Sequence, residues 1–223
     1  MRVILFGATG MIGQGVLREC LLDPGVEEVL SIGRSATGNA HAKLRELVRA
    51  DLLDLAPIES TLEDLDACFF CLGVTSLGMT EADYRRVTRD IALAAAEILV
   101  RQNPGMTFVF VSGAGADSTE RGGSMWARVK GETENALLRL PFKAVYIFRP
   151  AFVQPLHGVK SKTTLYRVLY TLLRPLIPLL TAKAPKYVTT TEQIGRAMLL
   201  VARQGAPKRV LESADINDCR PAA

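Results

Sequence analysis

Three glycines at fixed spacing carry the clearest chemistry in this chain. Gly7-Ala8-Thr9-Gly10-Met11-Ile12-Gly13 follows the apolar run Arg2–Phe6 and leads into a stretch with helical apolar spacing. Gly7 permits a tight turn, Gly10 lets the backbone approach a pyrophosphate, and Gly13 lets the helix pack close to the strand. A helix starting at Met11-Ile12 presents free N–H groups to phosphates. Gly7, Thr9, Gly10, Met11, Ile12 and Gly13 are therefore the candidate cradle of a dinucleotide.

The next strand ends in Ser31-Ile32-Gly33-Arg34-Ser35. An acid at this strand end would bond the ribose 2′-OH of NAD; Arg34 and Ser35 instead suit a 2′-phosphate, which predicts NADP rather than NAD. The alternative for Arg34 is an exposed loop side chain. Asp51, with Leu52, falls where such folds contact adenine, or else is an exposed turn residue. Leu72-Gly73 ends another strand where the coenzyme ribose would pass, or the glycine serves only the turn. Cys68 and Cys71 form a CxxC inside the apolar run Ala67–Leu72, where packing cysteines fit better than a redox pair at a helix N-terminus. With only His41 and His157 in the chain and no second ligand pair, no metal site is expected.

Positioning these residues takes strands that alternate with amphipathic helices. Strands are expected at Arg2–Phe6, Glu28–Ile32, Glu46–Val48, Ala67–Cys71, Met106–Val111 and Ala144–Phe148. Helices are expected at Met11–Leu22, Ala82–Arg101, Ser124–Leu138 and Thr191–Arg203, the last opening on a threonine cluster suited to N-capping. The pattern predicts a single domain over 1–223: a doubly wound, mostly parallel Rossmann-type α/β sheet, with 151–223 as a C-terminal helical elaboration on the ligand side. Pro150 ends the sixth strand and turns the chain across the sheet edge.

The 223 residues hold 27 Lys and Arg against 23 Asp and Glu, a net charge of +4. The excess is local: no carboxylate occurs from Asn135 to Thr191, where Arg139, Lys143, Arg149, Lys160, Lys162, Arg167, Arg174, Lys183 and Lys186 fall. That field suits an anionic ligand or surface, or belongs to an apolar lid with ordinary surface cations. Pro175 and Pro178 interrupt any continuous amphipathic helix there. No signal peptide, no transmembrane segment and no nucleic-acid motif is read, so a cytoplasmic protein is expected.

The turn GATGMIG, the Leu-Gly after strand four, FVFVSGAGAD, WARVKGETENAL and FRPAFVQP resemble the short-chain dehydrogenase/reductase superfamily. The likeness is to its atypical GxxGxxG members, closest to the Tat-interacting-protein-like and NAD-dependent epimerase-like branch, in order over about residues 1–155. The resemblance implies a tyrosine and a lysine spaced YxxxK on a helix, with a serine near strand five. It maps the lysine, which holds the nicotinamide ribose, to Lys130 and the serine to Ser112, with Ser124 as a nearby substitute. It also implies that backbone amides around Pro150, Phe152 and Val153 hold the nicotinamide carboxamide. The tyrosine position is Trp126, and indole N–H is a donor that cannot cycle a proton. Tyr84 and His157 are the substitute proton donors to consider.

Three functions follow from these residues: an NADP-dependent oxidoreductase or epimerase-like enzyme with a modified proton donor and a small-molecule substrate, an NADP-binding sensor or scaffold, or a peripheral membrane or interaction protein docking through 158–187.

Overall fold

The computed structural model describes residues 1–159 and 185–220. In chain order the elements are β1 (Arg2–Phe6), α1 (Met11–Leu22), β2 (Glu28–Gly33), β3 (Leu44–Val48), a 3-10 turn (Ala56–Thr61), β4 (Ala67–Phe70) and α2 (Glu81–Arg85). A π-helical turn (Arg86–Asp90), α3 (Ile91–Gln102), β5 (Thr107–Val111), α4 (Met125–Leu138), β6 (Ala144–Arg149) and β7 (Phe152–Gln154) follow. Residues 185–220 hold β8 (Val188–Thr190), α5 (Thr191–Gln204), β9 (Val210–Glu212) and α6 (Ser213–Asp218).

Seven strands form one sheet in the order β3-β2-β1-β4-β5-β6-β9, and every neighbouring pair is parallel. Strand order reverses beside β1, which lies between β2 and β4. Open α/β sheets bind ligands in the crevice beyond the strand ends at such a point.

Alternation along the central strands gives each face its own core. Val3 and Leu5 pack with Val16, Leu17 and Cys20 of α1 and with Ile194, Ala197, Met198 and Val201 of α5. Ile4 and Phe6 face the other way, onto Ala92, Ala95, Ala96 and Leu99 of α3 and Leu137 of α4. The central strands are buried on both faces, which is why their sequence reads as continuous apolar runs. The Ala-rich face of α3 lets it lie close to the sheet. Asn103 then ends α3 from inside the protein: its Nδ2 donates to Leu62 O at 2.6 Å and its Oδ1 accepts from Leu65 N–H at 2.8 Å.

Two expectations change. The helix at Thr191 is capped as expected, Thr190 Oγ1 accepting from Gln193 N–H at 2.9 Å, but it does not end the fold. Val210-Leu211-Glu212 adds a seventh strand against β6, three residues being too short for a period to register in sequence. The long helix after β4 is interrupted by the π-turn, where Ile91 N–H bonds to Arg86 O. The basic residues Lys160, Lys162, Arg167, Arg174 and Lys183 lie outside the described residues. No helix among the described residues is long and apolar enough to cross a membrane.

Gly13 is where helix meets strand most tightly. A Cβ there would lie 2.1 Å from the Gly7 carbonyl oxygen, a backbone atom that cannot give way. Gly13→Ala is expected to destabilise by about 1–3 kcal/mol or more, read as a lowered denaturation midpoint. Gly105→Ala, where a Cβ meets nothing within 4 Å, should stay within about 0.5 kcal/mol. Equal stability of the two variants would show that the turn relaxes.

Candidate functional site

The glycine turn runs from the end of β1 into α1. Gly7 holds φ +81° and passes so near the chain after β4 that a Cβ would lie 2.6 Å from Leu72 N. Gly10 N–H donates to Gly7 O at 2.9 Å, and the first helical bond is Gln14 N–H to Gly10 O at 2.9 Å. The amides of Met11, Ile12 and Gly13 thus precede the helical ladder. No acidic residue occupies the first turn of α1, so nothing there repels an anion.

On the other side of Leu72, which Gly7 approaches, lies a cavity of about 480 Å³ lined by Arg34, Asp51, Leu52, Leu72, Val74, Met79, Arg86, Val87 and Ile91, among others; none of Gly7–Gly13 lines it. It brings together four residues singled out from sequence: Arg34 from the end of β2, Asp51 and Leu52 from after β3, and Leu72 from after β4. Ser35 and Gly73 are exposed nearby in sequence and do not line it. Asp51 Oδ1 accepts from Leu53 N–H at 2.8 Å. Arg86, on the π-turn, was not visible as a site residue in the sequence.

The second cluster lies where β5 and β6 end, against the first turns of α4. Lys130 is 8% exposed; its Nζ donates to Val111 O at 3.3 Å and sits 4.9 Å from the Phe110 ring centroid. Burial pulls its pKa down to about 8, partly offset by the Glu134 charge one turn on. Trp126 precedes Lys130 by one turn, so the two share a helix face. Its indole edge lies against Gly115, whose added Cβ would be 3.5 Å from Cη2. Gly131 allows the loop after β5 to rest on α4: a Cβ there would overlap Asp117 O at 1.8 Å. That loop is further fixed by Asp117, whose carboxylate takes the amides of Thr119, Arg121 and Gly122; with the Thr119 hydroxyl these bonds lower its pKa to about 2.

Ser112 is not directed at open space. Its Oγ donates to Glu134, a carboxylate 1% exposed, which also takes Arg149 Nε at 3.1 Å on both oxygens. Arg149 Nη2 reaches Ser118 Oγ at 2.6 Å, and the Glu134 carboxylate keeps the guanidinium pKa above its usual value. Sequence reading missed this pair. Its trace is a Glu on the buried face of α4, four residues after Lys130, and an Arg at the end of a buried strand.

The other candidates are placed as follows. Ser124 is exposed at the start of α4, and Tyr84 is buried in α2. His157, at φ +55°, has its Nε2 on the Glu192 carboxylate, the contact that most lowers the Glu192 pKa. Pro150 and Val153 are buried and Phe152 half-buried; Pro150 O accepts from Ala114 N–H at 3.1 Å, tying the loops after β5 and β6 together. Cys68 lies in β4 with Cys71 just beyond it; both are free, and burial pushes both thiols well above their usual pKa. No group of three or more metal-ligating side chains occurs among the described residues.

A parallel sheet in this order, with a glycine turn at its switch point, defines a nucleotide-binding Rossmann-type protein. Solved structures share that architecture. A dTDP-glucose 4,6-dehydratase from Streptomyces venezuelae, solved with NAD bound, superposes with TM-score 0.69 at 16% identity over 95% of this chain and 75% of its own. A UDP-N-acetylglucosamine 4-epimerase from Methanobrevibacter ruminantium does so with TM-score 0.70 at 17% identity over the same shares. The chain belongs to the NAD dependent epimerase/dehydratase family, whose model matches residues 3–120, and so to the atypical short-chain dehydrogenase/reductases. Among curated proteins it is similar to "Protein fmp52, mitochondrial" of Emericella nidulans, 30% identical over 158 residues, 68% of this chain and 66% of that protein. The Saccharomyces cerevisiae protein of the same name is 29% identical over 166 residues, 73% of this chain and 69% of its own length. The chain thus spans about two thirds of these relatives. Their names correct the expectation of a cytoplasmic protein: the curated relatives are mitochondrial proteins. Location is set by signals independent of the core fold, so the fold residues read above did not carry it.

The Lys130 pKa gives a sign-specific test. Below about pH 8 Lys130 is protonated in both folded and unfolded chains, and the cost of burying its charge is fully present. Between about 8 and 10.5 the folded chain releases the proton first, so stability rises with pH through that window. Relative to Lys130→Met, the unmodified chain should gain about 1–3 kcal/mol between pH 7.5 and 10.5, measured by denaturant unfolding at both values. A pH-independent difference would mean that Lys130 is solvated.

Proposed function

We propose that the chain binds NADP in preference to NAD across the carboxyl ends of β1, β2 and β4, and acts as an oxidoreductase with an altered proton donor on a small-molecule substrate. The observation that carries this reading is the pairing on α4 of a buried Lys130 with Trp126 one turn earlier. The glycine turn fits a pyrophosphate: side chains are excluded at Gly7 and Gly13, and the amides of Met11–Gly13 are free of the ladder. When bound, the coenzyme supplies or accepts the hydride. Gly7, Thr9, Gly10, Met11, Ile12 and Gly13 hold its phosphates, and Arg34 and Ser35 its 2′-phosphate. Asp51, Leu52, Leu72 and Gly73 flank the adenosine, and the Pro150–Val153 backbone the nicotinamide. Lys130 would hold the nicotinamide ribose.

Proton transfer is the altered part. Trp126 donates without accepting, and the Ser112 hydroxyl is bonded to Glu134. Lys130, with a pKa near 8, is the member of the set whose protonation changes near working pH. The same engagement of Ser112 favours one second reading, an NADP-binding sensor without turnover. The relatives' names support a mitochondrial setting for either.

Initial rates of NADPH consumption against a panel of carbonyls test both readings. NADPH should bind more tightly than NADH, and turnover of simple carbonyls should be slow, since general acid–base help is worth about 10²–10⁴-fold. Trp126→Tyr should raise the rate at least tenfold, and Lys130→Ala should weaken coenzyme binding in either background. Brisk reduction that Trp126→Phe leaves unchanged would end the altered-donor reading. Undetectable turnover in both the unmodified chain and Trp126→Tyr, with NADPH still bound, would leave the sensor.

A further inference from the structure

The helix after β4 carries arginines at 85, 86 and 89, and they divide. Arg85 and Arg89 turn to Glu132 on α4: Arg85 Nη2 lies 2.9 Å from Glu132 Oε1, and Arg89 Nε 3.9 Å from Glu132 Oε2. Arg86 instead lines the cavity next to Leu72, together with Arg34. Both are exposed, and no ion pair is found for either among the described residues.

Helix spacing explains the division: Arg85 and Arg89 are four apart and share a face, and Arg86 is turned about 100° from Arg85. In an α-helix, residues five apart point in widely different directions, at 100° per residue. At the π-turn Ile91 N–H bonds to Arg86 O, and both residues line the cavity. π-turns of this kind often mark functional positions.

The cavity lining is chemically divided. Leu52, Leu72, Val74, Met79, Val87 and Ile91 are apolar, and the charged members are Arg34, Arg86 and Asp51. Two guanidiniums against one carboxylate leave a net positive site. Such a lining suits a ligand with a flat apolar ring and a doubly charged phosphate monoester. Guanidinium forks match phosphate oxygens in geometry and charge. The same two cations facing a neutral ribose diol would be left without a counter-ion, so the arrangement discriminates as well as binds.

We propose that Arg34 and Arg86 form a two-arginine clamp for the 2′-phosphate of an adenine nucleotide, the base lying against the apolar lining. Arg86 is then a specificity-determining residue that the glycine turn and the β2 end do not reveal. The clamp rests on the reading that this crevice takes a dinucleotide, and it names the second cation that sets coenzyme choice.

Calorimetric titration of the full chain with adenosine 2′,5′-bisphosphate, adenosine 3′,5′-bisphosphate, AMP, NADPH and NADH tests it. The 2′,5′-bisphosphate should bind at least tenfold more tightly than AMP or the 3′,5′-isomer. Arg86→Ala should weaken the 2′,5′-bisphosphate and NADPH about tenfold while leaving AMP and NADH within twofold. Arg34→Ala should behave alike, and raising salt should erode the preference. Because Arg86 is exposed, its variant should keep the unmodified denaturation midpoint. Equal binding of the two bisphosphates, or equal loss of AMP and 2′,5′-bisphosphate in Arg86→Ala, would overturn the clamp. If NADH and NADPH bind but Arg86→Ala changes neither, the clamp falls and the dinucleotide reading stands; if no adenine nucleotide binds, both fall.

Discussion

One carboxylate held almost wholly out of water organises the end of this sheet. Glu134 sits on the inward face of α4 with 1% of its surface exposed, and an unpaired charge in that place would be prohibitively unfavourable. It is satisfied by Arg149 from the end of β6 and by the Ser112 hydroxyl just past β5. Three segments distant in sequence are thereby fixed to one point. Removing either charged partner of such a pair commonly costs about 3–5 kcal/mol, mostly because the other is stranded. The position of α4, and with it of Lys130 and Trp126, follows from this contact and from the close seat of Gly131 on Asp117.

That constraint has a chemical consequence. A hydroxyl that donates its single proton to a buried carboxylate has none left to donate to a substrate carbonyl. Ser112 therefore supports α4 and β5 in this geometry, while Lys130 is held by Val111 O and the face of Phe110. Burial works against its ammonium and Glu134 works for it, so the proton on Lys130 reports the balance between the two. Trp126, one turn before Lys130, belongs to the same surroundings: its indole edge lies against Gly115.

The fold was legible where local chemistry dictates it. Arg2–Phe6 followed by Gly7 through Gly13 reads as strand, turn and helix because backbone sterics allow little else, and the continuous apolar character of β4 and β5 follows from burial on both faces. Asn103-Pro104-Gly105 stops α3 as punctuation should, although the side chain of Asn103 turned inward could not be read. The three-residue strands β7, β8 and β9 were illegible because a period of two needs more residues to show. The π-turn was equally hidden, since the sequence of an inserted residue looks like any other helical stretch.

The candidate site divides along the same line. The half at the glycine turn is backbone: a positive φ at Gly7, amides at the start of α1, and strand ends whose order is fixed by parallel crossovers. Such features are written into a few adjacent residues; Arg34, Asp51, Leu52 and Leu72, each singled out separately in the sequence, line one cavity in the fold. The other half, around Lys130, is made of partnerships between remote side chains, such as Glu134 with Arg149, and His157 is likewise paired with Glu192. No spacing rule predicts these, because each depends on how separate crossovers bring two strand ends or helix faces together. His157 is an instance: as a loop histidine it looked available for proton transfer, yet the fold sets it against the first turn of α5. Spacing along a helix found the lysine, and only the assembled sheet shows which groups around it remain free to act.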